Sequence, residues 1–211
     1  MANDIKLQES HPVDENIRPI KVGGVVSSLE ISKTGSGAKV TGDLECTGTI
    51  NGKMNVAGTI IGYTAIGADA GPAYFAVTNT WTVISDDHKV QFTVPIGGKV
   101  EIEASCVMDV VGGSARPLYL GLSSASATTG YSALDTQHEQ LVCQVDETDT
   151  ITVNTKWVLE GLGVGSTGDI YIGTKSSHSS NMRLYWGGDS TEEYPPFIIK
   201  ATALPVGIYD G

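Results

Sequence analysis

Ser166 is the residue of this chain whose neighbours come closest to a nucleophile motif. It lies in the stretch GVGSTG, whose glycines allow a sharp turn. A nucleophile elbow also needs a glycine two residues before the serine, and Val164 occupies that position. The sequence offers no ordered acid and histidine to complete a triad. The stretch therefore favours a glycine-serine turn over a catalytic serine.

Two acidic stretches contain residue types that bind metals. The segment Asp-Asp-His at 86–88 and the acidic run at 146–149 could supply oxygen and nitrogen ligands. Both lie between predicted strands, where acidic residues commonly form turns. The four histidines are scattered and lack the spacing of a zinc site. The sequence therefore predicts no metal site.

Two further patterns resemble catalytic motifs without completing them. Gly52-Lys53 ends a short phosphate-loop-like stretch, but Met54 replaces the required Ser or Thr and no helix follows. Asp135 and Glu139 could be the carboxylate pair of a glycan hydrolase, although proximity in sequence does not give the separation that this chemistry needs. We predict a protein that is not an enzyme and has no catalytic residue and no cofactor.

Charge and composition exclude several partners. The net charge of -11 and the pI of about 4.6 are unlike the basic footprint of proteins that bind nucleic acid or anionic membranes. The first residues lack the basic and apolar regions of a signal peptide, and no run approaches about 18 apolar residues. Three widely spaced cysteines, Cys46, Cys106 and Cys143, favour reduced thiols in a protein made in a cytoplasm.

The composition indicates that β-strands, and not helices, position any functional site of this chain. The 211 residues include 26 glycines and are rich in Thr, Ser, Val and Ile. No window of about 12 residues carries the apolar stripe of a helix without Gly or Pro. The sequence therefore predicts an all-β chain.

The segment VTGDLECTGTINGKMNVAGTIIG, residues 40–62, alternates with a period of two. From Ala38 to Gly62 every even position is apolar or glycine, and the odd positions up to Thr59 are polar except Ala57. One straight strand of this length would extend roughly 75 Å, far beyond the usual strand. Glycines at 42, 48, 52 and 58 can take positive φ, so we expect several short strands joined by turns.

Each of these short strands has an apolar face that it cannot bury alone. Either the C-terminal domain of the same chain covers that face, for example as an antiparallel meander on its edge, or identical copies meet around a symmetry axis. TGTING at 47–52 recurs as AGTIIG at 57–62, and such small repeated residues suit a slender multi-chain shaft. We favour the second arrangement, a trimer whose interface contains Val40, Leu44, Ile50, Met54, Val56 and Ile60.

Three parts follow from the pattern along the chain. The sequence predicts an extended arm with few large apolar residues over residues 1–35. It predicts a short Gly-rich β-repeat stalk over residues 36–66 and a C-terminal antiparallel β-sandwich of jelly-roll type over residues 67–211. The predicted sandwich strands are 74–84, 88–95, 99–110, 116–124, 139–146, 150–161, 168–175, 182–186 and 196–204. One predicted core face contains Val100, Ile102, Ala104 and Cys106.

The first 62 residues also carry a family resemblance. MANDIKLQESHPVDENIRPIKVGG, followed by ISKTGSGAKVTGDLECTGTING, resembles the start of structural proteins of tailed bacteriophages, particularly those that infect marine cyanobacteria. The alternating repeat is similar to those of phage tail fibres. The resemblance implies a virion protein, assembled in the host cytoplasm, whose arm docks on other virion proteins, whose repeat forms a trimeric stalk, and whose sandwich head projects.

The short stalk favours a capsid decoration, neck or short fibre component over a long fibre. The alternative function is a tail fibre or spike protein that binds or degrades a host cell-surface glycan. If the head binds such a surface, Tyr185, Trp186 and Tyr194 are the candidate binding residues, because exposed aromatic rings stack on sugars and proteins. The competing interpretation is that Tyr185 and Trp186 close the sandwich core.

The alternation generates a test of the trimer. We expect Ile50→Asp to disrupt assembly, because the charge would be buried on the axis, whereas Thr49→Asp should have much less effect. Light scattering of the unmodified chain should give about three times 22.1 kDa. A monomeric unmodified chain, or equal effects of the two substitutions, would contradict the stalk prediction.

Overall fold

Antiparallel strands form nearly all the regular structure of this chain. The structure, a computed structural model, describes residues 6–7, 18–22, 25–31, 38–40, 57–67, 73–111, 116–145, 150–177, 182–188 and 193–205. In these ranges the only helical element is a single 3₁₀ turn, Thr136–His138, and no helix there is long and apolar enough to cross a membrane. The all-β prediction is confirmed. The chain divides into two compact units, residues 1–53 and 54–211.

The first unit contains a small antiparallel sheet. Its strands are β1 (Lys6–Leu7), β2 (Arg18–Val22), β3 (Val25–Ile31) and β4 (Ala38–Val40), and they are hydrogen-bonded in the order β1-β2-β3-β4. β3 belongs to the predicted arm and β4 to the predicted stalk, yet the two strands pair directly. The boundary that we predicted at residue 35 therefore falls inside one pair of strands.

The second unit contains twelve strands in the described ranges, grouped in two sheets. These strands are β5 (Ile60–Ile66), β6 (Ala73–Ala76), β7 (Thr82–Val83), β8 (Lys89–Thr93), β9 (Val100–Val110), β10 (Arg116–Ser123), β11 (Gln140–Val145), β12 (Thr150–Leu159), β13 (Thr167–Ser176), β14 (Met182–Gly188), β15 (Glu193–Tyr194) and β16 (Phe197–Ala203).

The seven-stranded sheet is built around β9. One side of β9 pairs with β12 along ten consecutive residue pairs. Its other side pairs first with β16 and then with β14, which lie end to end. β5 continues the sheet beyond β16, β6 continues it beyond β14, and β15 adds a short hairpin to β14. The sheet is therefore four strands wide, because two of its positions are each shared by two short strands.

In the five-stranded sheet, too, two short strands lie end to end and share one position. Its order is β11-β10-β13, and the far side of β13 pairs with β7 near one end and β8 near the other. If each end-to-end pair is counted as one strand, both sheets are four strands wide, and the chain crosses from one to the other after every strand except between β10 and β11. This winding is the double Greek key of a jelly roll. The predicted antiparallel sandwich is confirmed.

The predicted single strand 74–84 is wrong in one respect, because it is divided between the two sheets. The Val77 amide donates to the carbonyl oxygen of Met182 in the seven-stranded sheet, whereas the Thr78 carbonyl accepts from the Ser176 amide in the five-stranded sheet. The Thr78 hydroxyl then bonds the Thr80 carbonyl at 2.8 Å and supports the bend. The stretch Thr-Asn-Thr at 78–80 interrupts the alternation of apolar and polar residues at the crossing, but it contains no Gly or Pro to mark a turn.

The core lies between the inward faces of the two sheets. The predicted inward row of β9, which includes Val100, Ile102, Ala104 and Cys106, is buried as expected. The largest completely buried side chains come from both sheets and include Trp157, Phe197, Ile102, Met108, Leu118, Leu120, Leu122, Leu159, Ile172, Met182, Leu184 and Ile199. Each such aliphatic side chain contributes about 1.5–3 kcal/mol by leaving water. This core supplies the main stabilisation of the head.

β5 shows how part of the alternating segment is covered. Residues 60–66 belong to the predicted stalk, but β5 pairs with β16 as an edge strand of the seven-stranded sheet. A Cβ atom at Gly62 would lie 2.5 Å from the backbone carbonyl oxygen of Gln91 in β8. The glycine therefore permits β5 to approach the opposite sheet closely. For this strand the head of the same chain supplies the covering surface, which is the first of the two arrangements considered above.

His88 is a buried histidine at the start of β8. Its ring lies edge-on to the rings of Trp186 and Phe197, at centroid distances of 4.6 and 4.8 Å. Nδ1 is 2.7 Å from the Ser85 hydroxyl, and Nε2 has no hydrogen-bond partner in the described part of the chain. Desolvation by burial lowers the pKa of His88 to about 4. The ring is therefore neutral at pH 7.

This burial makes the stability of the head depend on pH. The unfolded histidine gains a proton near pH 6.5 but the folded one only near pH 4, so stability falls as the pH drops through this window. We expect the free energy of unfolding to decrease by about 2 kcal/mol between pH 7 and pH 5. In His88→Gln, which cannot titrate, this decrease should largely disappear in urea titrations at both pH values. An unchanged pH dependence in the variant would contradict the assignment.

Candidate functional site

The structure places two of the six predicted trimer-interface residues. Val40 ends β4, where it is half-buried and pairs with Leu29. Ile60 begins β5 and is 56% exposed. Leu44, Ile50, Met54 and Val56 lie outside the described residues. Gly58 has a φ of +83°, which confirms the turn conformation expected of that glycine.

β5 presents a free edge and large exposed apolar side chains. One side of the strand pairs with β16, and no strand in the described ranges pairs with its other side. Ile60 and Tyr63 are exposed by 56% and 57%. An unpaired edge with apolar side chains is a surface on which a second chain can add main-chain hydrogen bonds and apolar contacts. The sequence motif predicted an interface, but only the sheet topology shows that β5 is an edge.

A second surface consists of three tyrosines and an arginine on the outer face of the seven-stranded sheet. The Tyr185 ring of β14 stacks on the Tyr194 ring of β15 at a centroid distance of 4.8 Å, and the Tyr74 ring of β6 packs at a tilt against Tyr185 at 5.6 Å. The guanidinium carbon of Arg183 lies 4.4 Å from the centre of the Tyr74 ring, and its Nη1 donates to the Tyr185 hydroxyl at 3.1 Å. We call these four residues the tyrosine patch.

The three rings of the tyrosine patch differ in exposure, and Tyr194 is intermediate. Tyr74 is 51% exposed, whereas Tyr185 is only 8% exposed because its neighbours cover it. The patch therefore offers the Tyr74 ring and a neighbouring cation to solvent, a combination suited to stacking on a planar or sugar surface. Our sequence reasoning identified Tyr185 and Tyr194 but missed Tyr74 and Arg183. Pairing of β6 with β14 places Tyr74 and Arg183 beside each other. No local pattern in the sequence indicates that these two strands pair.

Trp186 lies on the other face of β14. It packs on the core between the sheets, with its ring 4.6 Å from His88 and 6.4 Å from Phe197. Successive residues of a strand point to opposite faces, so Tyr185 and Trp186 cannot share one surface. Trp186 thus has the position that the competing interpretation, closure of the core, gives to it. We leave it out of the tyrosine patch.

The other chemical candidates occupy structural positions. The Ser166 hydroxyl donates to the Gly163 carbonyl at 2.5 Å inside a turn. Asp135 caps the 3₁₀ turn by accepting from the Gln137 amide at 3.0 Å, while Glu139 accepts from the Tyr131 hydroxyl at 3.2 Å. Each group therefore has a local partner that accounts for it.

Asp86 and His88 also have separate partners. Asp86 accepts from the Thr128 hydroxyl at 2.7 Å, and this bond lowers the pKa of the carboxyl. The ring of His88 points into the core. In the part of the chain that the structure describes, no three His, Cys, Asp or Glu residues are grouped so that they could hold a metal ion. The acidic run at 146–149 lies outside the described residues.

Comparisons with known proteins find likeness only among solved structures. No family model matches the chain, and no curated protein matches it. The Eiger TNF of S. frugiperda aligns with a TM-score of 0.39 and 10% identity, covering 72% of this chain and 96% of that chain. The infectious bursal disease virus Gx strain aligns with a TM-score of 0.35 and 8% identity, covering 92% of this chain and 48% of that chain.

A Clostridium thermocellum endo-1,4-β-D-xylanase, in a structure of its CBM22-1 and GH10 modules complexed with xylohexaose, is also similar. It aligns with a TM-score of 0.34 and 10% identity, covering 72% of this chain. The present chain spans only 30% of that xylanase chain. Likeness at these TM-scores and identities carries no functional conclusion, and the geometry of the chain itself remains the basis for assigning a role.

The division between Trp186 and the tyrosine patch gives a stability test. Trp186→Ala should lower the free energy of unfolding by about 3 kcal/mol, because it leaves a cavity beside Phe197. The matched variant Tyr74→Ala, which truncates an exposed ring, should cost less than about 1 kcal/mol. Thermal and urea unfolding of both variants provides the measurement. Equal losses would mean that the two rings are not divided between core and surface.

Proposed function

We propose that this chain is a non-enzymatic virion structural protein. In this proposal three copies associate through the alternating segment around residues 38–62, the N-terminal residues attach to other virion proteins, and the jelly-roll head is displayed. The proposed position is a short fibre, a capsid decoration or a neck component of a tailed phage, assembled in the host cytoplasm. The chain has no nucleic-acid partner and no membrane-inserted part in this proposal.

The free edge of β5 is the observation that carries the proposal. Ile60 and Tyr63 of this edge strand have more than half of their surface exposed. The residues that precede β5 continue the same alternation of apolar and polar positions. Burying these side chains against a second copy would remove them from water and pair the open edge of the sheet. Self-association would therefore remove two unfavourable features of the isolated chain, its exposed apolar side chains and its unpaired sheet edge.

The head supports a display role through its closed core. Both inward faces of the sandwich are buried within the second unit itself, so the core of the head does not need a partner chain. The sequence resemblance covers the residues before the head, which suits an attachment region followed by a separately folded module. A passive display element needs these two properties and no catalytic group.

The alternative is a tail fibre or spike protein whose head binds a host cell-surface glycan. The tyrosine patch is the observation that favours it, because the Tyr74 ring and Arg183 form an accessible aromatic and cationic surface. A glycan-degrading enzyme is less well supported, since Asp135 and Glu139 are each engaged by a local hydrogen bond. Self-association and head binding are compatible, so separate measurements must decide them.

Replacement of Ile60 tests the self-association. Ile60→Asp should reduce the trimer fraction at a given concentration by about tenfold or more, because a carboxylate would replace a buried side chain. Val158→Asp is the matched control, since Val158 is 47% exposed on β12 at the opposite edge of the same sheet. Size-exclusion chromatography with light scattering gives the mass of each, and thermal unfolding verifies that both heads fold.

A deletion gives an independent result. Removing residues 41–56 retains β4 and β5 and should convert the trimer to a monomer with a folded head. A mass near 22.1 kDa for the unmodified chain over the whole concentration range, or a trimer that both Ile60→Asp and the deletion leave intact, would overturn the proposal.

A further inference from the structure

An open polar cleft lies on the outer face of the five-stranded sheet. Its volume is about 550 Å³, within the size range of small-molecule sites. Outward-facing residues of β8 and β13 form its floor, and the segment after β10 forms its wall. The lining residues are Gln91, Ser124, Ala125, Ser126, Thr129, Thr167, Gly168, Asp169 and Tyr171. None of them belongs to the tyrosine patch or to the β5 edge.

Asp169 is the charged centre of the cleft. Its Oδ2 accepts from Lys89 Nζ at 2.8 Å and its Oδ1 accepts from Gln91 Nε2 at 2.9 Å. The Lys89 hydrogen bond is the largest cause that lowers the pKa of Asp169. The carboxylate is therefore ionised, and its remaining lone pairs can accept hydrogen bonds from a ligand. The neighbouring Tyr171 ring adds an aromatic surface to the same floor.

The hydroxyl groups of the cleft are weakly engaged by the protein. The Ser126 and Thr129 hydroxyls are 3.4 Å apart, the Thr129 hydroxyl donates to the Ser126 carbonyl at 3.2 Å, and the Thr167 hydroxyl is 3.5 Å from that of Thr93. Ser124 Oγ reaches the Ser132 carbonyl only at 3.4 Å. Hydroxyl hydrogen bonds are usually shorter than all of these, at about 2.7–2.8 Å. These groups can therefore exchange long contacts for shorter ones with a ligand.

The wall of the cleft is already held in place. The buried Ser123 hydroxyl donates to the Ala125 carbonyl at 2.7 Å and accepts from the Ala125 and Ser132 amides at 3.1 Å. Thr128 is tied to Asp86 by its hydroxyl and its amide. The Gly130 amide closes the loop on the Ser126 carbonyl at 2.9 Å. Binding of a ligand would therefore cost little conformational entropy in this segment.

The chemistry of the lining selects the class of ligand. An anion is disfavoured by Asp169, and Lys89 is already paired with that carboxylate. A metal cation would have a single carboxylate in the lining, which is too few for a stable site. An apolar ligand would find only the Ala125 methyl group and one aromatic ring. A neutral polyhydroxylated molecule matches the hydroxyls, the amide, the carboxylate and the ring together.

We propose that this cleft binds a neutral saccharide. Sugar hydroxyls donate to the Asp169 carboxylate and exchange hydrogen bonds with Gln91 and the serine and threonine hydroxyls, while Tyr171 contacts the apolar face of a sugar ring. The site is separate from the surfaces used for self-association, so a trimer would carry three such clefts. It gives the head a binding activity that does not depend on the role proposed for the stalk.

Saccharide titration of the full-length chain tests the cleft. The probes are glucose, galactose, mannose, N-acetylglucosamine, maltose, cellobiose and lactose, with D-glucuronate as an anionic comparator, followed by saturation-transfer NMR and calorimetry. We expect saturable binding of at least one neutral sugar and weaker or no binding of glucuronate. Asp169→Asn should weaken that binding about tenfold or more, because it removes a charge-assisted acceptor.

Two further variants distinguish saccharide binding in the cleft from a general effect of losing a carboxylate. Ser126→Ala leaves the Asp169 ion pair intact and should weaken binding several-fold, about what one neutral hydrogen bond provides. Glu160→Gln, which removes an ion-paired carboxylate outside the cleft, should bind like the unmodified chain. Absence of saturable binding of every neutral probe, binding unchanged in both cleft variants, or binding lost in Tyr74→Ala but not in Asp169→Asn would overturn the proposal. Light scattering of the same samples reports the trimer separately.

Discussion

The structure of the head depends on apolar contact between the inward faces of its two sheets. β9 is central to this contact, because it pairs with β12 on one side and with β14 and β16 on the other, and its inward row of Val100, Ile102 and Ala104 is buried. Burial of these rows offsets the conformational entropy that the strands lose on folding. Polar groups in this layer are few, and His88 is neutral there because burial disfavours its charged form.

Because the inward faces stabilise the fold, the outward faces are available for other roles. The outer face of the seven-stranded sheet carries the tyrosine patch and a row of ion pairs in which Lys200 and Lys156 flank Glu103 at 2.8 and 3.3 Å. Such exposed pairs stabilise a fold only slightly. The outer face of the five-stranded sheet carries the polar cleft. Substitutions on these outward faces should therefore have small effects on folding, whereas substitutions on the inward faces should have large ones.

Close approaches of backbone and rings explain two of the glycines. Gly62 permits β5 to contact β8, and the Tyr131 ring lies directly over Gly173 of β13 while it stacks on Trp81 at 4.9 Å. A side chain at either glycine would displace a strand or an aromatic stack. Composition alone indicates only that glycine is abundant. The distinct reason for each of these two glycines comes from the neighbour that the fold places against it.

The sequence by itself determined the all-β class, the positions of most strands and the inward row of β9, because alternation is a local property that burial imposes on each strand. It also predicted Ile60 as an interface residue and Tyr185 and Tyr194 as surface-binding residues. Only the tertiary structure decided that residues 74–84 cross between sheets, that residues 60–66 join the head, and that Tyr74 and Arg183 meet. The cleft is the clearest case, since Lys89 and Asp169 are 80 residues apart in the chain. Pairing between such distant strands is fixed by the packing of the whole sandwich, which leaves no local pattern to read.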